Sequence, residues 1–398
     1  MSDKSSPITR AVRAGLESDP VTGAVVPPLH LSATFAFRGF GDKRGYDYTR
    51  SGNPTRDALG AALAELEGGA GAVVTATGMA AISLVGYLLP SGARIVAPHD
   101  CYGGTYRLFD ALHRRGDIRV EFVDCADENA VRAALSKPTA LFWIETPSNP
   151  LLRITDIERC AAWGHECGAL VVVDNTFLSP LWQRPMELGA DLVVHSTTKY
   201  LNGHSDVVGG AVVARTPEHY EQLVWWANCL GVTGAPFDSF MTLRGLRTLH
   251  ARLEQHARNA DALAHWLCEQ PGVTRVYYPG LKTHPGHELA RRQQRGFGGV
   301  VSLELAGGHE AVRAFASGLQ CFSLAESLGG VESLIAHPAT MTHAAMEPQA
   351  RLRAGLTDGL IRLSIGIEAL EDLRADLAAA LERAGRGAAA PRLKLAEG

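Results

Sequence analysis

The sequence predicts an α/β fold, in which a large domain built on a mainly parallel sheet is followed by a smaller α+β C-terminal domain. Seven short apolar runs lie between residues 72 and 215, and segments of helical length separate most of them. Continuous apolar runs are typical of strands buried on both faces, and their alternation with helices indicates a parallel sheet. From about residue 256 the pattern changes, and it ends in a helix with apolar residues at helical spacing.

The seven runs are the predicted strands of the large domain. Each is five or six residues long and rich in Val, Ile, Leu or Ala, as expected for the interior of a sheet. In chain order they read AVVTA, RIVAP, VEFVD, ALFWIE, LVVVDN, DLVVHS and GAVVAR.

The chain is predicted to have three parts. Residues 1–54 are rich in Gly, Pro and aromatic residues and carry no periodic pattern, so we expect an arm that contacts the neighbouring subunit. Residues 55–255 form the large domain, which begins with a helix near Thr55, and residues 256–398 form the small domain with a mobile tail from 385. Residues 243–267 read as one long helix.

Composition excludes several classes of protein. The chain has 398 residues, 46% of them hydrophobic and 20% charged, with a net charge of −4 and no long basic block, which argues against nucleic acid or membrane as a partner. No signal peptide and no run of eighteen apolar residues is present. Seven scattered cysteines fit reduced thiols and a cytoplasmic location. Cys160, His165 and Cys167 lack a second cluster, so no metal site is predicted.

Polar residues follow the predicted strands, where an open α/β sheet binds its ligands. Each residue alone also has a structural interpretation, such as a helix-entry turn for Gly78, a turn for Asn149 or a surface position for Lys199. Their occurrence together at one edge of the sheet is what indicates a site. The residues are Gly78, Met79, Tyr102, Asn149, Asp174, Ser196, Thr198 and Lys199.

A lysine, a strand-end carboxylate and an anion site together predict pyridoxal phosphate (PLP) as cofactor. Lys199 would form a Schiff base with the aldehyde, and Asp174 would keep the pyridine nitrogen protonated. The amides of Gly78 and Met79 at a helix N-terminus would bind the phosphate, helped by hydroxyl groups. Neither a G-x-G-x-x-G fingerprint nor a Walker A loop is present, which disfavours dinucleotide and nucleotide sites.

At these residues the sequence resembles a known family, the Cys/Met-metabolism (trans-sulfuration) branch of fold-type I PLP enzymes, which have the aspartate-aminotransferase fold. The resemblance runs from about residue 9 to 384. The segments that carry it are EGGAGAVVTATGMAA, APHDCYGGTYRLFD, IETPSNPLLRI, VVVDNTFLSP, HSTTKYLNGHSDVVGG and LAESLGGVESLIAHPATMTHA.

The resemblance implies a role for each cofactor residue. Lys199 would be the Schiff-base lysine and Asp174 the partner of the pyridine nitrogen. Tyr102 would stack on the ring and take part in proton transfer, and Asn149 would bind the phenolic oxygen. The phosphate would be bound by Gly78, Met79, Ser196 and Thr198, and by Tyr48 and Arg50 of a neighbouring subunit. Shared sites of this kind imply a dimer as the minimum unit, and the resemblance implies a homotetramer built as a dimer of such dimers.

The resemblance also implies a substrate site. Arg362 would bind the α-carboxylate as a bidentate pair, with help from Ser327 and Asn149, although a surface arginine at a sheet edge is the plainer interpretation. Glu326 would face the distal end of the substrate, and Arg107 would be available for a distal carboxylate. Ser51 stands where many bacterial members carry a second arginine, which leaves O-succinyl and O-acetyl donors both open.

The implied reaction is γ-replacement: an O-acylated L-homoserine and L-cysteine give L-cystathionine and a carboxylic acid, a step of methionine biosynthesis by trans-sulfuration. The alternative within the family is γ-elimination of cystathionine to cysteine, 2-oxobutyrate and ammonia. A non-catalytic protein that only keeps the fold is a third possibility, against which the presence of Lys199, Asp174, Tyr102 and Arg362 argues.

Overall fold

Seven strands form the larger of two sheets in the computed structural model, which describes residues 5–16, 19–344, 346 and 348–389. Their order is β1-β7-β6-β5-β4-β2-β3; β7 is antiparallel to both of its neighbours, and the other pairs are parallel. All seven predicted runs are strands, so the mainly parallel sheet is confirmed. The strands are β1 (Gly71–Thr75), β2 (Ala93–Pro98), β3 (Ile118–Val123), β4 (Leu141–Glu145), β5 (Leu170–Asp174), β6 (Leu192–His195) and β7 (Gly210–Ala214).

Helices cover both faces of this sheet. Successive residues of β4 enter different hydrophobic clusters: Phe142 and Ile144 lie in one, and Leu141 and Trp143 in the other. Burial on both faces explains why the strands read as continuous apolar runs. The helices are α1 (Pro7–Val12), α2 (Pro54–Glu67), α3 (Gly78–Gly86), α4 (Gly103–Arg115), α5 (Glu128–Leu135), α6 (Ile157–Glu166), α7 (Ser179–Trp182), α8 (Pro217–Leu230) and α9 (Pro236–Leu246), with a 3₁₀ turn at Pro185–Leu188.

A second, smaller sheet follows, in the order β10-β11-β12-β9-β8, as the predicted α+β part requires. Its strands are β8 (Val273–Tyr277), β9 (Val300–Leu305), β10 (Ser323–Leu324), β11 (Leu334–Ala336) and β12 (Leu360–Ser364). The accompanying helices are α10 (Leu249–Leu267), α11 (His287–Gln293), α12 (Gly308–Ala316), α13 (Pro348–Ala354) and α14 (Leu370–Ala389). Because α14 extends to Ala389, the first residues of the predicted tail are helical; residues 390–398 lie outside the described part.

The prediction of one helix over 243–267 was wrong, because α9 ends at Leu246 and α10 begins at Leu249. The carbonyl oxygen of Gly245 accepts hydrogen bonds from the amide of Thr248 (3.1 Å) and from the guanidinium of Arg252 (2.8 Å). An uninterrupted helix would give this oxygen to the amide of Leu249. A buried arginine thus competes for a helical acceptor, and helical periodicity does not reveal such a competitor.

Helix α10 connects the two halves of the chain. Leu249 and Leu253 pack in a hydrophobic cluster of the larger sheet, whereas Leu263 and Leu267 pack in the cluster of the smaller sheet. The predicted domain boundary at residue 255 falls inside this helix, and the three-part division stays a prediction.

Residues 19–53 form no helix or named strand, and isolated bridges such as Thr34 to Tyr48 and backbone hydrogen bonds such as that from the amide of Phe35 to the carbonyl of Asp47 (2.8 Å) order them. Several apolar side chains of this arm face solvent in the single chain, among them Val21, Leu31 and Phe40. The seven cysteines, all within the described residues, carry free thiols. No described helix combines the length and the apolar character that a membrane crossing needs.

Candidate active site

A cavity of about 370 Å³ lies at the carboxyl edge of the parallel strands, where the sequence predicts the site. Arg362 on β12 and residues of the loops that follow β10 and β11 complete the wall of the cavity. Eleven of the predicted site residues line it: Gly78, Met79, Tyr102, Asn149, Asp174, Ser196, Thr198, Lys199, Glu326, Ser327 and Arg362.

One end of the cavity is suited to an anion. Helix α3 begins there, and its N-cap Thr77 accepts from the amide of Ala80 at 2.9 Å. The preceding amides of Gly78 and Met79 have no intrahelical acceptor, because they lie in the first turn. A Cβ at Gly78 would come within 2.9 Å of the Ser196 Cβ, so glycine is what lets the helix start approach Ser196. The hydroxyl of Thr198 also lines the cavity but bonds the backbone of Gly209.

The ends of β4 and β5 place two carboxyl groups in the cavity wall. Glu145 and Asp174 are paired in register on neighbouring parallel strands, and both line the cavity. Asp174 accepts from the amide of Thr176 at 2.9 Å. Burial raises the pKa of Asp174, while the hydrogen bond from Thr176 works in the opposite direction. A buried carboxyl of this kind is stabilised in its charged form by a cation, such as a protonated ring nitrogen.

Lys199 follows β6 and extends its amine into the cavity. Its Nζ donates to the Ser327 hydroxyl at 2.7 Å, a contact between two loops far apart in sequence. Burial lowers the pKa of Lys199 to about 8, with the nearby Arg362 guanidinium contributing and Glu326 opposing. A neutral amine is therefore accessible near physiological pH, as a nucleophile or base requires.

Arg362 lies in the interior strand β12 and is only 3% exposed, so the interpretation as a surface arginine was wrong. Its Nη1 donates to Asn149 Oδ1 at 3.0 Å and its Nη2 to the carbonyl of Ser327 at 2.6 Å. Ser327 has a φ of 95°, a left-handed conformation that turns this carbonyl to the guanidinium. Both acceptors are neutral, so the buried positive charge is free to attract a carboxylate.

Tyr102 is the N-cap of α4, and its ring is 41% exposed at the cavity. A Cβ at Gly104 would come within 2.5 Å of this ring and 2.6 Å of the Met79 sulfur, and a Cβ at Gly103 within 2.5 Å of the Thr342 carbonyl oxygen. Gly104 therefore leaves room for the tyrosine ring, and Gly103 leaves room for the backbone of Thr342.

We expect Gly104→Ala to displace the Tyr102 ring and to lower kcat/KM by about 100-fold, since displacing a group that contacts the reactants by about 1 Å has an effect of that order. Cofactor affinity, measured by equilibrium dialysis, should fall as well. The matched control is Gly86→Ala, because a Cβ at Gly86 meets nothing within 4 Å. Wild-type kinetics and affinity in Gly104→Ala would contradict the assignment of these glycines.

Three predicted site residues, Tyr48, Arg50 and Arg107, lie outside the cavity. Arg50 donates to the side-chain and main-chain oxygens of Asn228 at 2.6 and 2.8 Å and stacks over Tyr48. Arg107 is exposed on α4. It lies close enough to Tyr102 for its positive charge to oppose the increase that burial causes in the pKa of Tyr102. Ser51 donates to Asp47 at 2.7 Å. The single chain therefore does not bring Tyr48, Arg50 or Arg107 together with Lys199.

Sequence reasoning missed several residues of the cavity wall. Glu145 was read only as the end of a strand, and its register with Asp174 was the signal that could have identified it. Thr77 adjoins Gly78 and Thr176 lies two residues after Asp174, so the strand-end rule could have included them. Thr342 lies in a loop with no periodic pattern, and nothing in the sequence alone marked it.

These residues fit PLP. The cavity offers amides at a helix start for a phosphate, an exposed aromatic ring for stacking, a buried carboxyl for a ring nitrogen and an amine for the aldehyde. Each of these groups matches the chemistry of one part of PLP, and each comes from the end of a different strand. The same edge of the sheet therefore supplies all four of these groups.

A family model described as Cys/Met metabolism PLP-dependent enzyme matches residues 8–382. The chain belongs to this family. Pyridoxal phosphate is accordingly its cofactor, and the fold-type I prediction is confirmed.

Individual members of the family are similar over almost their full length. Cystathionine gamma-synthase of Escherichia coli K12 is 57% identical over 380 residues, which cover 95% of this chain and 98% of the relative. Cystathionine beta-lyase of Coxiella burnetii is 50% identical, covering 94% and 97%. A crystal structure of cystathionine gamma synthase from Xanthomonas oryzae pv. oryzae in complex with cystathionine has a TM-score of 0.95 and 62% identity, covering 96% and 99%.

Proposed function

We propose that this member of the Cys/Met metabolism family is a cystathionine γ-synthase, a transferase that acts in methionine biosynthesis. The observation that carries the proposal is one cavity in which Lys199 and the carboxylate-binding Arg362 are joined through Ser327. That arrangement fits an α-amino acid, whose amino and carboxylate groups are adjacent. The similarity to the E. coli and X. oryzae synthases supports γ-replacement as the reaction.

In this reaction the Cγ–O bond of an O-acyl-L-homoserine breaks and a Cγ–S bond to cysteine forms. The acyl group leaves as a carboxylate, and the proton of the thiol balances it. When bound, PLP withdraws electrons from the substrate Cα, which makes the neighbouring protons acidic.

The chain's residues orient the substrate and move its protons. Arg362 and Asn149 hold the α-carboxylate, which fixes Cα next to Lys199. The Lys199 amine, with its pKa near 8, removes and returns protons at Cα and Cβ. Burial raises the pKa of Tyr102, so its hydroxyl relays a proton from the incoming thiol rather than acting as a phenolate. Glu326, exposed at the cavity, faces the distal end of the substrate.

Product analysis tests the reaction. We expect O-succinyl- or O-acetyl-L-homoserine plus cysteine to give cystathionine faster than cystathionine alone gives 2-oxobutyrate. Faster cleavage of cystathionine would replace the proposal with γ-elimination, a second candidate that the similarity to a cystathionine gamma-lyase, 45% identical over 376 residues, supports. The measurement is kcat/KM for both donors and for cystathionine.

We expect Arg107→Ala to lower kcat/KM for the succinyl donor more than for the acetyl donor, by about tenfold, since only succinyl offers a distal carboxylate for a charge-assisted hydrogen bond. The two donors share every other contact, so the acetyl donor is the internal control. An equal effect on both donors would show that Arg107 does not recognise the distal carboxylate.

The proposal includes a homotetramer with shared active sites, in the cytoplasm. Two features support shared sites: Tyr48 and Arg50 lie outside the cavity of their own chain, and the arm exposes Val21, Leu31 and Phe40. A neighbouring subunit would cover these side chains and receive Arg50 at its phosphate end. The free thiols support a reducing compartment.

Hybrid oligomers test the shared site. We expect Arg50→Ala and Lys199→Ala chains, each inactive or weakened alone, to recover activity when mixed, because one site of each heterodimer then has both residues intact. Differently tagged chains purified in tandem verify the heterodimer. No recovery in verified heterodimers would mean that Arg50 acts within its own chain.

A further inference from the structure

Glu145 is a buried carboxyl group in the cavity wall that the steps above do not use. It is 6% exposed, ends β4 and is paired in register with Asp174 on β5. Two carboxyl groups on neighbouring strand ends at one cavity need separate roles, because burial and mutual repulsion make it costly for both to be charged.

The contacts of Glu145 link it to Tyr102. Its Oε2 accepts from the main-chain amide of Tyr102 at 2.7 Å, and its Oε1 accepts from Trp143 Nε1 at 3.1 Å. Tyr102 is the N-cap of α4, and its side chain makes no capping hydrogen bond. In a capping box the third helical residue accepts from the N-cap amide. Here the acceptor is Glu145, which lies on strand β4 and not in the helix itself. Its hydrogen bond to the Tyr102 amide fixes the residue at which α4 begins.

The surroundings of Glu145 favour its neutral form. Burial first, and then the charge of Asp174, raise the pKa of Glu145 to about 8; the hydrogen bonds from Tyr102 and Trp143 oppose this. Asp174 keeps its charge more easily, because the amide of Thr176 and the His195 ring stabilise it. The titratable groups that face Glu145 are Asp174, Asp100, Cys101, Cys125 and Tyr102, and none of them is a cation.

We propose that Glu145 is a positioning residue that, as a neutral carboxylic acid, holds Tyr102 against the cofactor ring and leaves Asp174 as the one charged carboxylate in this wall. The two adjoining carboxyl groups therefore have different roles. Asp174 is the charged partner of the ring nitrogen, and Glu145 positions Tyr102 over the face of the ring. The inference rests on the cofactor site and not on the choice between γ-replacement and γ-elimination.

The test compares Glu145→Gln with Glu145→Ala in the full-length holoenzyme. Glutamine keeps a neutral group with an oxygen for the Tyr102 amide, whereas alanine leaves that amide without its acceptor. We expect Glu145→Gln to stay within about threefold of wild-type kcat/KM at pH 7 and Glu145→Ala to lose at least about tenfold. The visible circular dichroism of the bound cofactor, which reports asymmetric contacts around the ring, should persist in the glutamine variant and weaken in the alanine variant.

Thermal unfolding against pH supplies a readout that is independent of activity. A carboxyl with a folded pKa near 8 and an unfolded pKa of 4.5 makes wild-type stability fall as pH rises between these values, because only the unfolded state ionises there. Glu145→Gln lacks this dependence. Its Tm should therefore rise relative to wild type from pH 5 to 8 and run parallel above pH 8. If Glu145→Ala proves too unstable to purify, this comparison still decides the protonation state.

Three results would overturn the proposal. A Tm difference that does not change with pH would mean that Glu145 is charged in the folded protein. Equal losses of circular dichroism in both variants would mean that the charge, and not the geometry, supports Tyr102. An unchanged dichroism in Glu145→Ala would mean that Tyr102 does not depend on Glu145. If the wild-type protein did not catalyse γ-replacement but the dichroism and Tm of the variants were as expected, only the proposed function would be contradicted.

Discussion

Replacing Lys199 with alanine should abolish turnover while the chain still folds. Lys199 is the amine that lies in the cavity beside Arg362 and Ser327, and the proposed mechanism needs it for every proton transfer at Cα and Cβ. Removing a residue with such a role lowers kcat by roughly three to six orders of magnitude. The measurement is steady-state turnover with an acyl-homoserine and cysteine, and Lys282→Ala, an exposed lysine outside the cavity, is the control.

The same substitution should not weaken the fold. Burial lowers the pKa of Lys199 to about 8, so below pH 8 the cofactor-free chain must bury an ammonium that the unfolded chain keeps in water. That penalty is roughly 3 kcal/mol, and it disappears as pH rises from 8 to 10.5, where only the unfolded state is still protonated. Cofactor-free Lys199→Ala should therefore unfold at a higher denaturant concentration than wild type at pH 7, and the gap should close toward pH 10.5.

Two observations would contradict this prediction. Turnover at the wild-type rate would remove Lys199 from the reaction. A variant less stable than wild type at pH 7 would mean that the ammonium is stabilised in the cavity, against the direction of its pKa shift. Native circular dichroism of the purified variant separates a catalytic loss from misfolding.

Replacing Arg362 with lysine should cost about two to three orders of magnitude in kcat/KM. A guanidinium forms two parallel hydrogen bonds with a carboxylate, each worth about 1.5–3 kcal/mol when charge-assisted, and an ammonium cannot reproduce that geometry. Lysine would also leave Asn149 Oδ1 or the Ser327 carbonyl without its donor. Because the carboxylate fixes Cα beside Lys199, kcat should fall together with a rise in KM.

Arg215→Lys is the matched control. The Arg215 guanidinium likewise donates two hydrogen bonds to neutral acceptors, the main-chain carbonyls of Ala190 and Met186, but it lies outside the cavity. The Arg215→Lys substitution should lower Tm and leave kcat and KM within about twofold of wild type, because Arg215 contacts no substrate. An Arg362→Lys enzyme with an unchanged KM for the amino-acid substrate would show that the α-carboxylate binds elsewhere.

The cofactor positions that sequence reasoning brought to one cavity share one property: each lies at the end of a buried strand or within a few residues after it. Asp174, Asn149 and Lys199 belong to different strands, yet the carboxyl ends of parallel strands meet at one edge. Their convergence followed from topology alone. The family resemblance added the residues that topology could not reach, notably Arg362, which lies on the other sheet and for which a surface position was the alternative.

The residues that were missed depend on facts that lie beyond the strand pattern. The role of Glu145 requires the register between β4 and β5, because a carboxyl that ends a strand has no special meaning until its neighbour is known. The break after Leu246 depends on Arg252, whose guanidinium competes for the Gly245 carbonyl. The room that Gly104 leaves for Tyr102 depends on where a ring lies, and sequence shows only that a glycine is present.

Helix α10 has a consequence for how the molecule folds. One end of the helix is covered by the core of the larger sheet and the other by the core of the smaller sheet, so neither half can complete its interior without the other. A chain cut at residue 255 would leave half a helix uncovered, and the first turns would lose the cooperativity that a long helix supplies. The two sheets are therefore expected to evolve together. A recombination event that exchanged only one sheet would also need an α10 that packs against both.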